Sequence, residues 1–362
     1  MLLFGKEVLS PYYKMEGEGE AMFQVQKQVL AQFDKLYAVA AGQAGGARWY
    51  YAAGEGRGGP CVAVCPQTGE RRTLWPDAGG TMTLCPQAGG AVLAVQGFWP
   101  VFDAVHAQLV WAQPGPGGDY RVTPCCPFPY LHRFEVLRLA WGNALVAATL
   151  CGGKRDVQDW SQPGAVYAAT LDGPGSVPRG LRPVLAGLTK NHGFWAGRFN
   201  GRQAVLVSAS EGVFALYPPE QPEGEWQVEQ LLDREVSDIA VYDLDGDGQD
   251  ELAAIEGFHG GQVTLNKCVG GAWQTVWARE APFGHALWCG LVAGRPCLLA
   301  GYRRGDQRLV LECFSRGLNS PQEQVLGAGG PSQLWVCPTP GGAQVLCAER
   351  EAGRAVLYEL FL

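Results

Sequence analysis

Seven glycine-led segments recur through the chain at nearly constant spacing, and that period constrains the fold more than any other feature. They begin at Gly45 (GGARWYYAA), Gly89 (GGAVLAV), Gly142 (GNALVAAT), Gly201 (GRQAVLVSA), Gly248 (GQDELAAI), Gly294 (GRPCLLAG) and Gly341 (GGAQVLCA), spaced 44, 53, 59, 47, 46 and 47 residues apart. A glycine ahead of a short apolar run reads as a turn leading into a buried strand. A unit of this length cannot bury a core alone, so successive copies must stack. A third strand follows, as at 261–265 or 309–314. Most copies add a fourth of the form W-x-V, as at 226–228, 273–276 and, with Tyr for Trp, 120–122. Seven four-stranded units predict an all-β chain, a seven-bladed β-propeller occupying 1–362 as one domain. The last copy ends at Leu362 without its fourth strand. Residues 22–30 (MFQVQKQVL) have the missing pattern. They are predicted to form the outer strand of the last blade, closing the ring and removing an exposed edge. The residues before Glu20 are not placed by this scheme.

Composition supports that reading. The 51 Gly and 24 Pro supply many turns, and 12 Trp, 12 Tyr and 14 Phe suit broad sheets packed face to face. A net charge of −7 without a basic stripe argues against nucleic acid as a partner. No apolar run approaches the roughly 20 residues that span a bilayer, so no membrane partner is expected. The 12 Cys are scattered through strand-like runs as small hydrophobes (Cys289, Cys297, Cys313, Cys337, Cys347), and no CxxC pair occurs. The start, MLLFGKEVLS, is interrupted by Lys6 and Glu7 and lacks a signal-peptide core. The expectation is a reduced, cytoplasmic protein.

One copy carries acids in its turn, SDIAVYDLDGDGQDEL (237–252). Asp243, Asp245 and Asp247 alternate with Leu244 and Gly246, and Gly248 follows. Alternate carboxylates on a tight turn converge on one point and offer the oxygen cage of a structural Ca²⁺. An EF-hand would need Glu at the twelfth position, where Ala254 stands, and helical flanks, where strand-like runs stand. The loop is either a shortened calcium site or a metal-free Asp/Gly turn. Its pattern from Asp243 to Leu252, D-x-D-G-D-G-x-x-[DE]-L, resembles the FG-GAP/VCBS class of propeller repeats.

Position within the repeat assigns residues to faces. The turn between first and second strands lies on one face of a propeller. The entry to the first strand and the loop between second and third lie on the other. His132, His192 and His285 fall 10, 9 and 9 residues before their glycines, where the chain enters the innermost strand; Asp238 and Ser332 fall at the same place in other copies. His106 and His259 fall in second-to-third-strand loops, so all five His map to one face, opposite the Asp243–Asp247 turn. Imidazole is the commonest transition-metal ligand and the neutral-pH acid/base. The same face carries the largest insertion, 151–164, with Lys154, Arg155, Asp156, Asp159 and Trp160. Charges of both signs and an aromatic ring suit a polyol. Trp99, Glu211, Glu256, Tyr302, Arg303, Arg304, Glu349 and Arg350 lie on neighbouring loops of the face where binding sites of such rings converge.

Three segments, 131–134 (LHRF), 145–169 (LVAATLCGGKRDVQDWSQPGAVYAA) and 190–193 (KNHG), look like the propeller portion of aldos-2-ulose (1,5-anhydrofructose) dehydratase-like proteins. The resemblance implies a metal-dependent dehydratase or lyase acting on a small keto-sugar or anhydro-sugar at the channel mouth. Such an elimination needs a base for the proton beside the carbonyl, an electrophile for the enolate oxygen and an acid for the departing hydroxyl. On this basis His132, His192 and His285 would hold Zn or Mn, and His259 or Glu256 would move the proton. Lys154 or Arg155 would hold hydroxyls or the enolate. Asp156, Asp159, Trp160, Tyr302 and Arg303 would bind the sugar. Two alternatives stay open: a non-catalytic carbohydrate- or protein-binding scaffold, and a glycosidase using a pair among Asp159, Glu211, Glu256 and Glu349. No G-x-S-x-G elbow supports a nucleophilic hydrolase.

Overall fold

A computed structural model describes residues 22–99, 101–315 and 317–362 of the chain. Twenty-eight strands make seven antiparallel sheets of four. The innermost strands are Leu36–Ala44, Leu84–Pro86, Leu131–Leu139, Gly193–Phe199, Val236–Tyr242, Gly284–Val292 and Pro331–Thr339, and they define blades 1 to 7 in that order. These first strands contact one another around the ring, which places them at the central channel. Within each blade the chain steps outward strand by strand. All seven glycine-led turns join a first strand to a second, as the repeat predicts.

The core lies between blades. Second strands such as Arg202–Ala209 and Glu251–Glu256 are buried on both faces, so they read as unbroken apolar runs (Val205-Leu206-Val207; Leu252-Ala253-Ala254-Ile255). Outer strands such as Gln227–Leu232 are mostly exposed and polar. Val205, Val207 and Leu216 of blade 4 pack on Leu137, Val146 and Val166 of blade 3, and equivalent layers seal the other blade pairs.

Gln24–Gln32 pairs antiparallel with Arg354–Phe361 and completes blade 7, so the ring is closed by the N-terminal outer strand. Gln324 of blade 6 grips the entry to that strand. Its amide accepts from the Phe23 N–H at 2.9 Å and donates to the Phe23 carbonyl at 2.8 Å, while the Phe23 ring is buried.

The cysteines correct one expectation. Cys297 and Cys313 stand directly opposite on neighbouring strands of blade 6, with Cα atoms 4.3 Å apart, and form a disulfide. Apolar runs conceal such a pair, because strand register alone decides which residues face each other. The other ten cysteines are free. Among the described residues no helix is long and apolar enough to cross a membrane.

Candidate functional site

One backbone device is repeated around the mouth of the channel. Lys35, Tyr130, Lys190 and Phe283 have left-handed backbones (φ 52°, 58°, 51° and 57°), and each stands two residues before a channel position: Tyr37, His132, His192 and His285. A non-glycine residue pays about 1 kcal/mol or more for that conformation, so its recurrence marks a geometry the fold enforces. In blades 1, 3, 5, 6 and 7 the sheet register then slips by one residue at Tyr37, His132, Ser237, His285 and Ser332. A bulge releases that residue from the pleat and re-aims its side chain. These residues, with His192 in blade 4, are almost fully buried.

Blade-to-blade hydrogen bonds tie the positions together. The Nδ1–H of His192 donates to the carbonyl of Ser237 at 3.0 Å, and the Nδ1–H of His285 donates to the carbonyl of Ser332 at 2.9 Å. The Ser332 hydroxyl donates to the Tyr37 carbonyl at 3.0 Å. A carbonyl cannot donate, so both imidazoles carry their proton on Nδ1 and present the lone pair of Nε2. Metal-binding histidines are commonly set in this way.

His259 completes the group from the blade 5 loop. Its backbone is also left-handed (φ 49°), and its Nε2 lies 3.4 Å from Nε2 of His192. Gly260 permits the turn, since a side chain there would collide with the Glu256 carbonyl. Glu235 fastens the loop by accepting from the Phe258 N–H at 2.8 Å, from Ser210 Oγ at 2.6 Å and from Lys190 Nζ at 2.7 Å. Nitrogens of His192, His259 and His285 lie within 4.8 Å of one another. Four nitrogens around a tetrahedral Zn²⁺ at about 2.0–2.1 Å stand roughly 3.3 Å apart, close to the spacing of the first pair. His132 stacks beside His192 at 4.7 Å between ring centres but lies outside the trio, and its Nδ1 has no protein partner. The trio brought together therefore includes His259, read from sequence as a proton carrier, in the place assigned to His132.

Burial, reinforced by neighbouring guanidinium groups and imidazoles, pushes the pKa of His132, His192 and His285 well below the usual value and that of His259 down to about 3. All four are neutral at neutral pH and able to act as ligands. Polar atoms of Asn191, Ser208 and Ser237, grouped around His192, are buried without protein partners. Asp238 lies deep in the ring yet keeps accessible surface, and burial raises its carboxyl to about 7 against the pull of Arg133 and the Ile239 N–H. From blade 3 the Arg133 side chain reaches past blade 2, donating to the Met82 carbonyl at 2.8 Å, toward the Tyr37 ring of blade 1 at 5.8 Å. Equivalence of repeat positions points to Asp238. Nothing in the sequence signals Tyr37 or Glu235, and Arg133 enters only as part of the LHRF segment (131–134), with no role attached to it.

The remaining sequence-selected residues have other partners. In the 151–164 insertion, Asp159 accepts from the Arg155 N–H at 3.1 Å, Arg155 Nε at 2.8 Å, the Ser161 N–H at 3.0 Å and Ser161 Oγ at 2.6 Å. Asp156 caps the turn at Gln158 and Asp159. Lys154 is buried, donates to the Asp159 carbonyl at 2.8 Å and lies 3.2 Å from the Trp160 ring centre. These residues build the loop itself. Trp160 faces the site from the edge, packed on Phe258, which stacks on His259 at 4.1 Å. Glu256 is held by Arg234 and Thr264, Glu211 by Thr189, and Glu349 by Arg354 and Tyr358. Tyr302 is buried between blades. Arg303 pairs with Glu351 at 2.6 Å and, with Arg304, stacks on Phe283 beside His259. His106 is exposed near Asp103 and apart from the cluster.

On the opposite face Asp243, Asp245 and Asp247 do converge, with oxygens within 4.8 Å. Asp243 is taken up by the N–H groups of Gly246, Asp247 and Gly248. Lys267 places its ammonium 2.6 Å from Asp245, 2.8 Å from Asp247 and 2.9 Å from Glu251. The carboxylates raise its pKa despite burial, so the loop already holds a cation of its own.

No family model matches the chain, and no curated protein matches it by sequence. Solved structures do match in fold. A chain of a mitotic checkpoint complex superposes with TM-score 0.57 at 11% identity, covering 100% of this chain and 99% of that one. A chain from the complex of BBS1N with ARL6DN gives 0.57 at 12% identity, covering 94% and 97%. A gluconolactonase candidate gives 0.49 at 13% identity, covering 93% and 92%. At these identities the likeness concerns the seven-bladed ring alone.

Proposed function

We propose that the chain is a metal-dependent lyase, dehydrating a small keto-sugar or anhydro-sugar at the channel mouth. One observation carries the reading: the imidazoles of His192, His259 and His285 converge as neutral ligands, two of them oriented by backbone carbonyls. A non-catalytic scaffold would have no need of three imidazoles clustered at the channel mouth. A divalent transition metal held there, Zn or Mn, would polarise the substrate carbonyl.

The protein's own groups supply the rest. Asp238, poised near neutral pH, is suited to take the proton beside the carbonyl and to return it to the departing hydroxyl, which leaves as water, since a base works best with a pKa near the working pH. The aromatic wall of Trp160, Phe258 and Phe283 excludes water and offers a face for a sugar ring. Arg155 and Glu256 have no part in this scheme, because their charges are spent on Asp159 and Arg234. The calcium reading of the Asp243 loop becomes a competition in which Ca²⁺ must displace Lys267.

A non-catalytic sugar-binding propeller is the second reading. It is favoured by the engagement of Glu211, Glu235, Glu256 and Glu349 with protein partners, which leaves Asp238, among the described residues, as the carboxylate near the histidines without a cationic partner. Metal analysis of wild type and His192→Ala after a mild chelator wash tests the proposal, followed by a screen of keto-sugars. Tightly held Zn or Mn lost in the variant, with turnover lost in parallel, is the expected result. Metal unchanged by the substitution, or metal without turnover, defeats the lyase reading and leaves the binding one.

A further inference from the structure

Arg133 is the group the scheme above leaves unexplained. It is 8% exposed and stands one residue after the bulge at His132. Its side chain reaches toward the Tyr37 ring and makes one hydrogen bond, to the neutral carbonyl of Met82. Among the described residues it forms no ion pair, whereas half of the arginines there do, including Arg57, Arg279, Arg303, Arg350 and Arg354. Asp238 is the nearby acid, but it stays beyond ion-pair distance. A guanidinium taken out of water without a counter-charge is costly, and a fold keeps one where something else provides the anion. The residues equivalent to Arg133 in blades 1, 4 and 6 are Ala38, Gly193 and Ala286, so none of those blades supplies an anion for it.

The surroundings carry the same sign. Arg303 and Arg304 flank Phe283, and both act on the His259 imidazole from the rim. Arg303 is balanced by Glu351, while Arg304 is exposed and forms no ion pair among the described residues. One free guanidinium thus stands at the rim and a second, buried one lies near the neutral imidazoles.

We propose that the ligand of the channel mouth is a polyhydroxylated carboxylate, a sugar acid, whose carboxylate is held by the guanidinium of Arg133. The planar fork of arginine matches a carboxylate with two parallel N–H···O bonds, which a neutral sugar cannot reproduce. This inference rests on the reading of the channel mouth as a small-molecule site, and it does not depend on the metal.

D-Glucuronate and D-glucose differ in a carboxylate against a hydroxymethyl group, which makes them suitable probes. Calorimetric titration of both into wild type, Arg133→Gln and Arg133→Lys, with metal content measured on the same samples, tests the proposal. The expected result is glucuronate binding at least about tenfold tighter than glucose to wild type. That preference is lost in Arg133→Gln and reduced in Arg133→Lys, with metal content unchanged. Equal binding of the two sugars to wild type, no binding of glucuronate, or a preference retained in Arg133→Gln each overturns it. If Arg133→Gln does not fold, the wild-type comparison and Arg133→Lys decide. A glucuronate preference in protein that holds no transition metal sustains this inference while the lyase reading fails. Bound metal with no preference gives the reverse.

Discussion

At the scale of single residues, the channel mouth spends stability to hold reactive groups. Asp238 has a folded-state pKa of about 7, raised by burial above that of the unfolded chain. Its contribution is therefore favourable at low pH and is lost as pH rises from about 4 through 7. Summed over that interval the loss reaches about 4 kcal/mol. Asp238→Asn keeps the acceptor for the Ile239 N–H and removes the charge. The variant should match wild type near pH 4 and exceed it in thermal stability at pH 8, which melting curves at the two pH values check. A stability gain of the same size at both would mean that the carboxyl does not titrate in this range. The histidines slope the other way. Their depressed pKa values let the unfolded chain bind protons first, so the cluster weakens the fold as pH drops below about 6.5.

At the scale of elements, two loops on opposite faces show how similar turns reach different ends. The 257–260 loop holds His259 in a left-handed backbone and depends on Gly260, where a Cβ would strike the Glu256 carbonyl. Gly260→Ala should cost about 1–3 kcal/mol and weaken the metal binding proposed for His192, His259 and His285, read by unfolding and by metal analysis. In the acidic loop the three carboxylates selected from sequence do meet. The tertiary structure adds Lys267 from the neighbouring strand, a contact that no spacing within 243–252 announces. Asp245 and Asp247 are exposed, but Glu251 is buried, and loss of the ammonium leaves that carboxylate without its cation at a cost of about 1–3 kcal/mol. Lys267→Met should therefore be destabilised without Ca²⁺. It should then recover more melting temperature on addition of millimolar Ca²⁺ than wild type gains. An equal response in the two proteins would show that the ammonium does not compete for the cage.

At the scale of the whole molecule, ring closure by the N-terminal strand makes the first and last parts of the chain one blade. Phe23, buried between blades 6 and 7 and clamped by Gln324, is the anchor. Phe23→Ala should cost about 3–5 kcal/mol and lower the denaturant midpoint of the entire ring, because opening one blade exposes the edge of the next. A two-step unfolding curve with an unchanged main transition would mean that closure is not coupled to the rest. By itself the sequence determined the architecture: blade number, strand order, the closing strand and the face on which the histidines lie. Those follow from periodic turns and apolar runs, which are local properties repeated along the chain. Only the tertiary structure decided which side chains meet. It moved His259 into the imidazole trio and set His132 beside it. It tied Asp156 and Asp159 into their own loop and Glu256 to Arg234 and Thr264, joined Cys297 to Cys313, and carried Arg133 toward Tyr37. Those outcomes depend on bulge register, left-handed backbones and contacts between blades some 45 residues apart, and periodicity carries no record of them.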